Sequence, residues 1–232
     1  MSTSQKLDTP KLDTWTTSQE EEDRMVPGHM HHWQTMIGHV RERDLRHKTI
    51  LDFGCNQGGF IQMLFNTLPF ARAVGVDIAE GSLAKARARN QFAPADFYHS
   101  SQLPGMANTF DMAFSHEVIY LLPDLHAHAK DMAQVLKPGG VYYAATGCHT
   151  DNPHWADWHK AISDYSNITV PHYALDDYAS AFAANGFAIE AKQFRSDGFI
   201  AVEPDDTVYY PKLIDKLNYY SQTKILFRFV KV

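Results

Sequence analysis

A chain that reads Thr49-Ile50-Leu51-Asp52-Phe53-Gly54-Cys55-Asn56-Gln57-Gly58-Gly59-Phe60 has few ways to fold over those residues. Residues with strand character run into a glycine turn, and Phe60, Ile61, Leu64, Phe65 and Leu68 follow at helical spacing. Strand, tight turn and helix are expected in immediate succession. Glycine at 54, 58 and 59 carries no Cβ, so the backbone can take positive φ and a ligand can lie against the peptide planes. The helix start adds unpaired N–H groups and a partial positive charge. A nucleotide-like ligand fits such a pocket, although the turn alone also fits a plain strand-to-helix corner.

The next unit tips that balance. Ala73 to Ile78 reads as a second buried strand ending in Asp77, about 18 residues past the turn, close to the ~20 expected of a ribose-binding carboxylate. An acid at a strand end can accept hydrogen bonds from two sugar hydroxyls.

LDFGCNQGG, VGVDIAEGSLAKAR, LPGMANTFDMAFSHEVIYLL and VLKPGGVYYAATG together resemble, in order and spacing, the signature segments of class I S-adenosylmethionine-dependent methyltransferases. The resemblance covers roughly residues 47 to 193. It implies a Rossmann-like α/β fold with a seven-stranded, mostly parallel sheet, helices on both faces and an antiparallel last strand. It also implies S-adenosylmethionine as cofactor and S-adenosylhomocysteine as product. Carried over by position, the methionine part would meet Asp52, Gly54, Cys55, Asn56 and Gly58, the ribose Asp77 with Ile78, and the adenine Ser100 with Ser101. Two departures stand out: Asn56 replaces a common glycine, and His99 stands where relatives commonly place an acid. Asparagine tolerates the left-handed region, so the turn survives the first.

In such a fold the topological switch lies between the first and fourth strands. The fourth is expected over Phe110 to Ser115, which puts Ser115, His116, Glu117 and Tyr120 where the methyl group is transferred. His116 is the candidate general base, since imidazole titrates near the working pH. A residue there can equally do no more than pack against the cofactor, and Glu117 can equally cap the next helix.

With 232 residues, 44% hydrophobic and 21% charged, one α/β domain with additions is expected. Residues 1–46 form an N-terminal tail and cap helices, and residues 47–232 the cofactor-binding domain, with lid insertions at about 147–173 and 195–223. A net charge of −6 without a basic run argues against a nucleic-acid surface. Cys55 and Cys148 read as reduced thiols. No secretory signal or bilayer-spanning run is seen, so a cytoplasmic protein is expected. Oligomeric state is left open.

Residues 1 to about 16 read as a tail that Trp15 can pin down. Ser18 with Glu21 has capping-box spacing, so a short helix is expected there, stopping near Pro27-Gly28. A second would carry Trp33, Met36, Ile37 and Val40 through about Arg46. His29, His31 and His32 lie between. Pocket-lining by His29 and His32, or plain packing, is preferred to a metal site, because adjacent histidines on a helix point apart; no metal is expected. Lys137 to Gly140 reads as a turn before a fifth strand, Val141 to Thr146. Trp155, Trp158 and His159 recur at helical spacing and either wall an acceptor pocket or bury a lid helix on the core. A helix over Leu175 to Asn185, a strand over Phe187 to Phe194, a helix around Pro211 to Tyr220 and a closing strand from Lys224 complete the reading.

The favoured function is methyl transfer to a small-molecule acceptor shaped by Tyr120, Trp158, Trp155, His29 and His32. A nucleotide-cofactor oxidoreductase is the alternative from another class, and its usual glycine fingerprint is not matched by Gly54-x-Asn56-x-Gly58-Gly59. A catalytically silent cofactor-binding subunit is the other.

Overall fold

The computed structural model describes residues 19–232 except 91, 167, 197 and 203–208, with side chains from residue 28 onward apart from that of Tyr165. The expected tail, with Trp15, and the Ser18–Glu21 capping box lie outside the described residues or side chains. The chain begins with α1 (Gln19–His39), followed by β1 (Leu45–Phe53), α2 (Gly59–Thr67), β2 (Phe70–Asp77), α3 (Glu80–Arg89) and β3 (Ala95–His99). A 3-10 segment, Ser100–Gly105, leads to β4 (Phe110–His116), α4 (Leu125–Val135) and β5 (Leu136–Thr146). Then come α5 (Trp155–Tyr165), α6 (Leu175–Ala183), β6 (Phe187–Gln193) and α7 (Leu213–Asn218). A π-helical turn, Tyr219–Thr223, delivers the chain to β7 (Ile225–Lys231).

The strands form one seven-stranded sheet in the order β3-β2-β1-β4-β5-β7-β6. β1, β2, β3, β4 and β5 pair in parallel, and β7 runs antiparallel between β5 and β6. The sheet is buried on both faces because its strand residues alternate between two cores. Leu51, Ala113, Tyr142 and Ala144 face a cluster with Leu125, Met132, Tyr178 and Phe182 from α4 and α6. Ile50, Met112, Phe114 and Tyr143 face the other side, where Met36, Ile37, Phe60, Leu64 and Leu83 arrive from α1, α2 and α3. A buried side chain of this size contributes about 1.5–3 kcal/mol, so the two layers fix which way every strand faces.

Two expectations are corrected here. The N-terminal segment is one helix running through Pro27-Gly28, where two were expected. Proline removes a single ladder donor, and the rest of the helix keeps its bonds on either side. The helix also ends at His39 instead of near Arg46, because Leu45 is pulled into the sheet opposite Phe70 and is 1% exposed. Further on, Lys137 to Gly140 is not a turn before the fifth strand but an irregularity within β5: Phe110 pairs with Leu136, and register resumes at Met112 with Val141. Gly139 takes φ +73° at that point, a conformation an L side chain adopts only under strain.

Candidate active site

β1 and β2 end side by side, and the turn after β1 is tied to the end of β2. The amides of Gly54 and Cys55 donate to the Val76 carbonyl at 2.8 and 3.0 Å. The amides of Asn56 and Ala79 then donate to the two oxygens of Asp77, at 2.8 and 3.0 Å. Asp77 therefore organises both neighbouring loops. Asn56 takes φ +48° and Gly54 φ +80°. A Cβ on Gly54 would strike Val118, so the left-handed bend and the close approach of β4's exit loop both demand glycine there.

Asp52 lies beneath this turn, 4% exposed, and its Oδ2 has no hydrogen-bond partner. Burial, with the Asp77 charge nearby, pushes its carboxyl up to about 8. A buried carboxylate without a donor is costly unless a cation or donor arrives.

One cavity of about 540 Å³ runs from these two acids to the far side of the β4 exit, within the range of small-molecule sites. Asp52, Gly54, Cys55, Asn56, Asp77, Ile78 and Ser100 line it, as do His29, His32, His116, Tyr120 and Trp158. Four expected residues do not line it. Gly58 sits behind the turn at the start of α2, with φ +77° and Phe97 packed against it. Ser101 is drawn onto the His99 ring, its Oγ 2.8 Å from Nδ1. Ser115 is buried on the opposite side of β4, accepting from the Tyr142 hydroxyl at 2.7 Å. Trp155 is turned away: its Nε1–H donates to His172 Nδ1 at 3.1 Å and its ring meets His159 edge-on. The stripe of α5 that reaches the cavity is Trp158 and Ile162, one helical step of four apart.

The far end is built around groups the sequence did not bring together. Lys224, 1% exposed at the entry to β7, places its ammonium 2.7 Å from Glu117 Oε1 and 2.8 Å from His116 Nε2. Glu117 also accepts from the Tyr219 hydroxyl at 3.1 Å, Thr146 Oγ1 at 3.2 Å and the Gly147 amide at 3.1 Å. It holds φ +54°, which is strained for a non-glycine residue and is sustained by these contacts. Against the cost of burial, Lys224 and its other donors keep Glu117 below the usual carboxylate range. Burial lowers Lys224, with Glu117 opposing the shift. Glu117 is therefore neither a helix cap nor an open carboxylate.

Three imidazoles converge beside this pair, with ring centroids 5.1 Å apart for His29 and His116 and 5.3 Å for His32 and His116. Burial, followed by the charge of Lys224, lowers all three, His29 to about 4. Among the described residues no group of three or more His, Cys, Asp or Glu is arranged to hold a metal ion. Trp158 packs against Tyr219 and Tyr210, at 4.9 and 5.5 Å between ring centroids, and its Nε1–H donates to the Tyr209 carbonyl at 2.6 Å. Sequence reasoning missed Trp33, Phe60, Cys148, Tyr219 and Lys224 as lining residues. For Lys224 there was one signal, a lysine opening the otherwise apolar Ile225-Leu226-Phe227 strand.

The sheet order, the antiparallel seventh strand and a cavity at the β1/β4 switch point define a Rossmann-like methyltransferase fold. Residues 51–144 match the family described as a methyltransferase domain. It is 28% identical over 126 residues, 53% of the chain, to the fatty-acid O-methyltransferase of Mycolicibacterium smegmatis, of which the match takes in 45%. The chain spans about half the length of the curated relatives it matches. It is also similar to a chain in a complex of the Haloferax volcanii Trm112 methyltransferase activator, with a TM-score of 0.77, 22% identity and coverage of 91% and 94% of the two chains. An S-adenosylmethionine-dependent methyltransferase from Mesorhizobium loti superposes with a TM-score of 0.63, 19% identity and coverage of 89% and 100%.

Proposed function

We propose that the protein transfers a methyl group from S-adenosylmethionine to a small-molecule acceptor. The observation that carries this is the pairing of Asp77 and Asp52 in the wall of one cavity that continues, past the β4 exit, into an aromatic and histidine-lined chamber. Asp77 is fixed by two backbone amides at the end of β2, in the cavity wall where a ribose diol would lie, and Asp52 has an unpartnered oxygen suited to an ammonium. The residues present thus fit the cofactor's sugar and amino-acid tail. When bound, S-adenosylmethionine supplies a methyl group already activated on a sulfonium.

What remains for the chain is geometry. Asp77, Asn56 and the Gly54 bend hold one end of the cavity, while Tyr120, Trp158, His29 and His32 shape the other and keep water out. Positioning of this kind can supply up to ~7–11 kcal/mol of rate enhancement. The fatty-acid acceptor of the Mycolicibacterium relative supports a small molecule in this role. Isothermal calorimetry with S-adenosylhomocysteine is the test. Binding to the wild type is expected, with a loss of roughly tenfold to a hundredfold in Asp77→Ala, as for hydrogen bonds to a charged group. Undiminished affinity in the variant, or no heat at all with the wild type, contradicts the assignment.

A further inference from the structure

α7 turns Asp215 and Lys216 toward the protein and its aliphatic residues toward solvent, the reverse of an ordinary surface helix. Lys216 is 6% exposed, with its ammonium 5.6 Å from the centre of the Tyr210 ring. Asp215 accepts from the Lys212 amide at 3.0 Å and lies 3.5 Å from His154 Nε2, at the start of α5. These contacts hold the helix in this orientation. Leu213, Ile214 and Leu217 are left 56%, 54% and 41% exposed, and at spacings of one, three and four they share one face. A single exposed leucine needs no explanation, but a contiguous aliphatic face marks a contact surface.

That face belongs to the rim of the cavity. Tyr209 and Tyr210 just before α7 and Tyr219 just after it all line the cavity, and Tyr209 is itself 37% exposed. Size and charge decide what covers the face. A stable protein interface takes about 20–30 residues a side, whereas α7 has six. A lipid surface demands no matching shape, and its gain grows with whatever apolar area enters it. Anionic lipid is recognised by clusters of basic residues; α7 has Lys212 and Lys216, the second turned inward, on a chain of net charge −6. An uncharged lipid surface is the occupant that fits. No described helix is long and apolar enough to cross a membrane, so the contact is one of docking.

We propose that α7 docks the protein on an uncharged lipid surface, with Leu213, Ile214 and Leu217 entering its apolar boundary and the cavity mouth at Tyr209 held beside it. On the methyl-transfer reading above, an acceptor dissolved in that lipid meets the mouth there; the docking itself does not depend on that reading.

The test is flotation of the full chain with phosphatidylcholine vesicles. The wild type is expected to float, and Ile214→Glu with Leu217→Glu to weaken vesicle binding by at least about tenfold, with an unchanged melting temperature because both positions face solvent. Vesicles that also contain phosphatidylserine should bind no better. As a second readout, Leu217→Trp should shift its emission to shorter wavelength when phosphatidylcholine vesicles are added. No flotation of the wild type, equal flotation of the doubly substituted chain, stronger binding to the anionic vesicles, or no emission shift overturns the proposal. So does a dimer in sedimentation that the same double substitution dissociates, since a second copy would then cover the face. Vesicle binding is read without cofactor and S-adenosylhomocysteine binding without vesicles, so failure of the docking and failure of the methyl-transfer reading are told apart.

Discussion

Asp52 accepts no hydrogen bond at Oδ2, lies beneath the β1 turn and has Asp77 and Cys55 as its titratable neighbours there, with Tyr142 across the sheet. Its carboxyl is pushed from 3.8 to about 8, first by burial and then by Asp77. A folded-state value above the unfolded one means that the folded chain holds the proton more tightly. The group's stabilising contribution is full below the unfolded value and is lost as pH rises through the folded value. Asp52→Asn, which cannot ionise, should therefore gain in thermal stability relative to the wild type as pH rises from about 4 to about 8, and keep that gain above it. A parallel pair of melting curves across that range measures this. Binding of an ammonium-bearing ligand should have the opposite pH sense. S-adenosylhomocysteine should bind wild type more tightly at pH 8 than at pH 6 and release a proton on binding. Calorimetry in two buffers of different ionisation enthalpy detects the release, and Asp52→Asn should show neither effect.

Among the elements, β2 carries Gly75 in its interior, where alanine would ordinarily be preferred by roughly 0.5–1 kcal/mol. Here a Cβ would lie 2.7 Å from the Phe97 ring and 2.8 Å from Cys55 Sγ. Overpacking of that kind costs about 1–3 kcal/mol, so the clash outweighs the backbone preference for alanine. Gly75→Ala should lower the unfolding midpoint in urea and, through Cys55, weaken cofactor binding. A second constraint is the Lys224–Glu117 pair, which joins the entry of β7 to the exit of β4. Removing one partner of a buried pair costs roughly 3–5 kcal/mol, so Lys224→Ala is expected to destabilise strongly in the same urea titration, whereas the exposed pair Lys160–Asp164 should be removable at little cost.

Across the whole molecule, legibility followed separation in sequence. The β1 turn and Asp77 could be read because their chemistry is contiguous: glycines, an apolar helix and an acid fall within one βαβ unit. Glu117, Lys224 and Tyr219 could not, because no short-range pattern announces a contact across more than a hundred residues. Trp155 and Trp158 share the helical spacing that made both candidates, and only the seating of α5 shows that Trp158 and Ile162 face inward. Pro27-Gly28 looked like a stop because local preference was all the sequence displayed. The same separation carries a thermodynamic consequence. His29 and Trp33 from α1, Asp77 from β2 and Trp158 from α5 border one cavity, so a ligand filling it ties together parts of the chain that are far apart in sequence. A ligand confined to the folded state stabilises it by about 2.7 kcal/mol at a hundred times its dissociation constant. For a chain of this length each kcal/mol raises the midpoint by about 2–4 °C. S-adenosylhomocysteine at that excess should therefore raise the melting temperature by about 5–11 °C. The tryptophans that border the cavity, Trp33 and Trp158, should change emission with the same concentration dependence. A shift seen by calorimetry without any change in their fluorescence would place the ligand elsewhere than in this cavity.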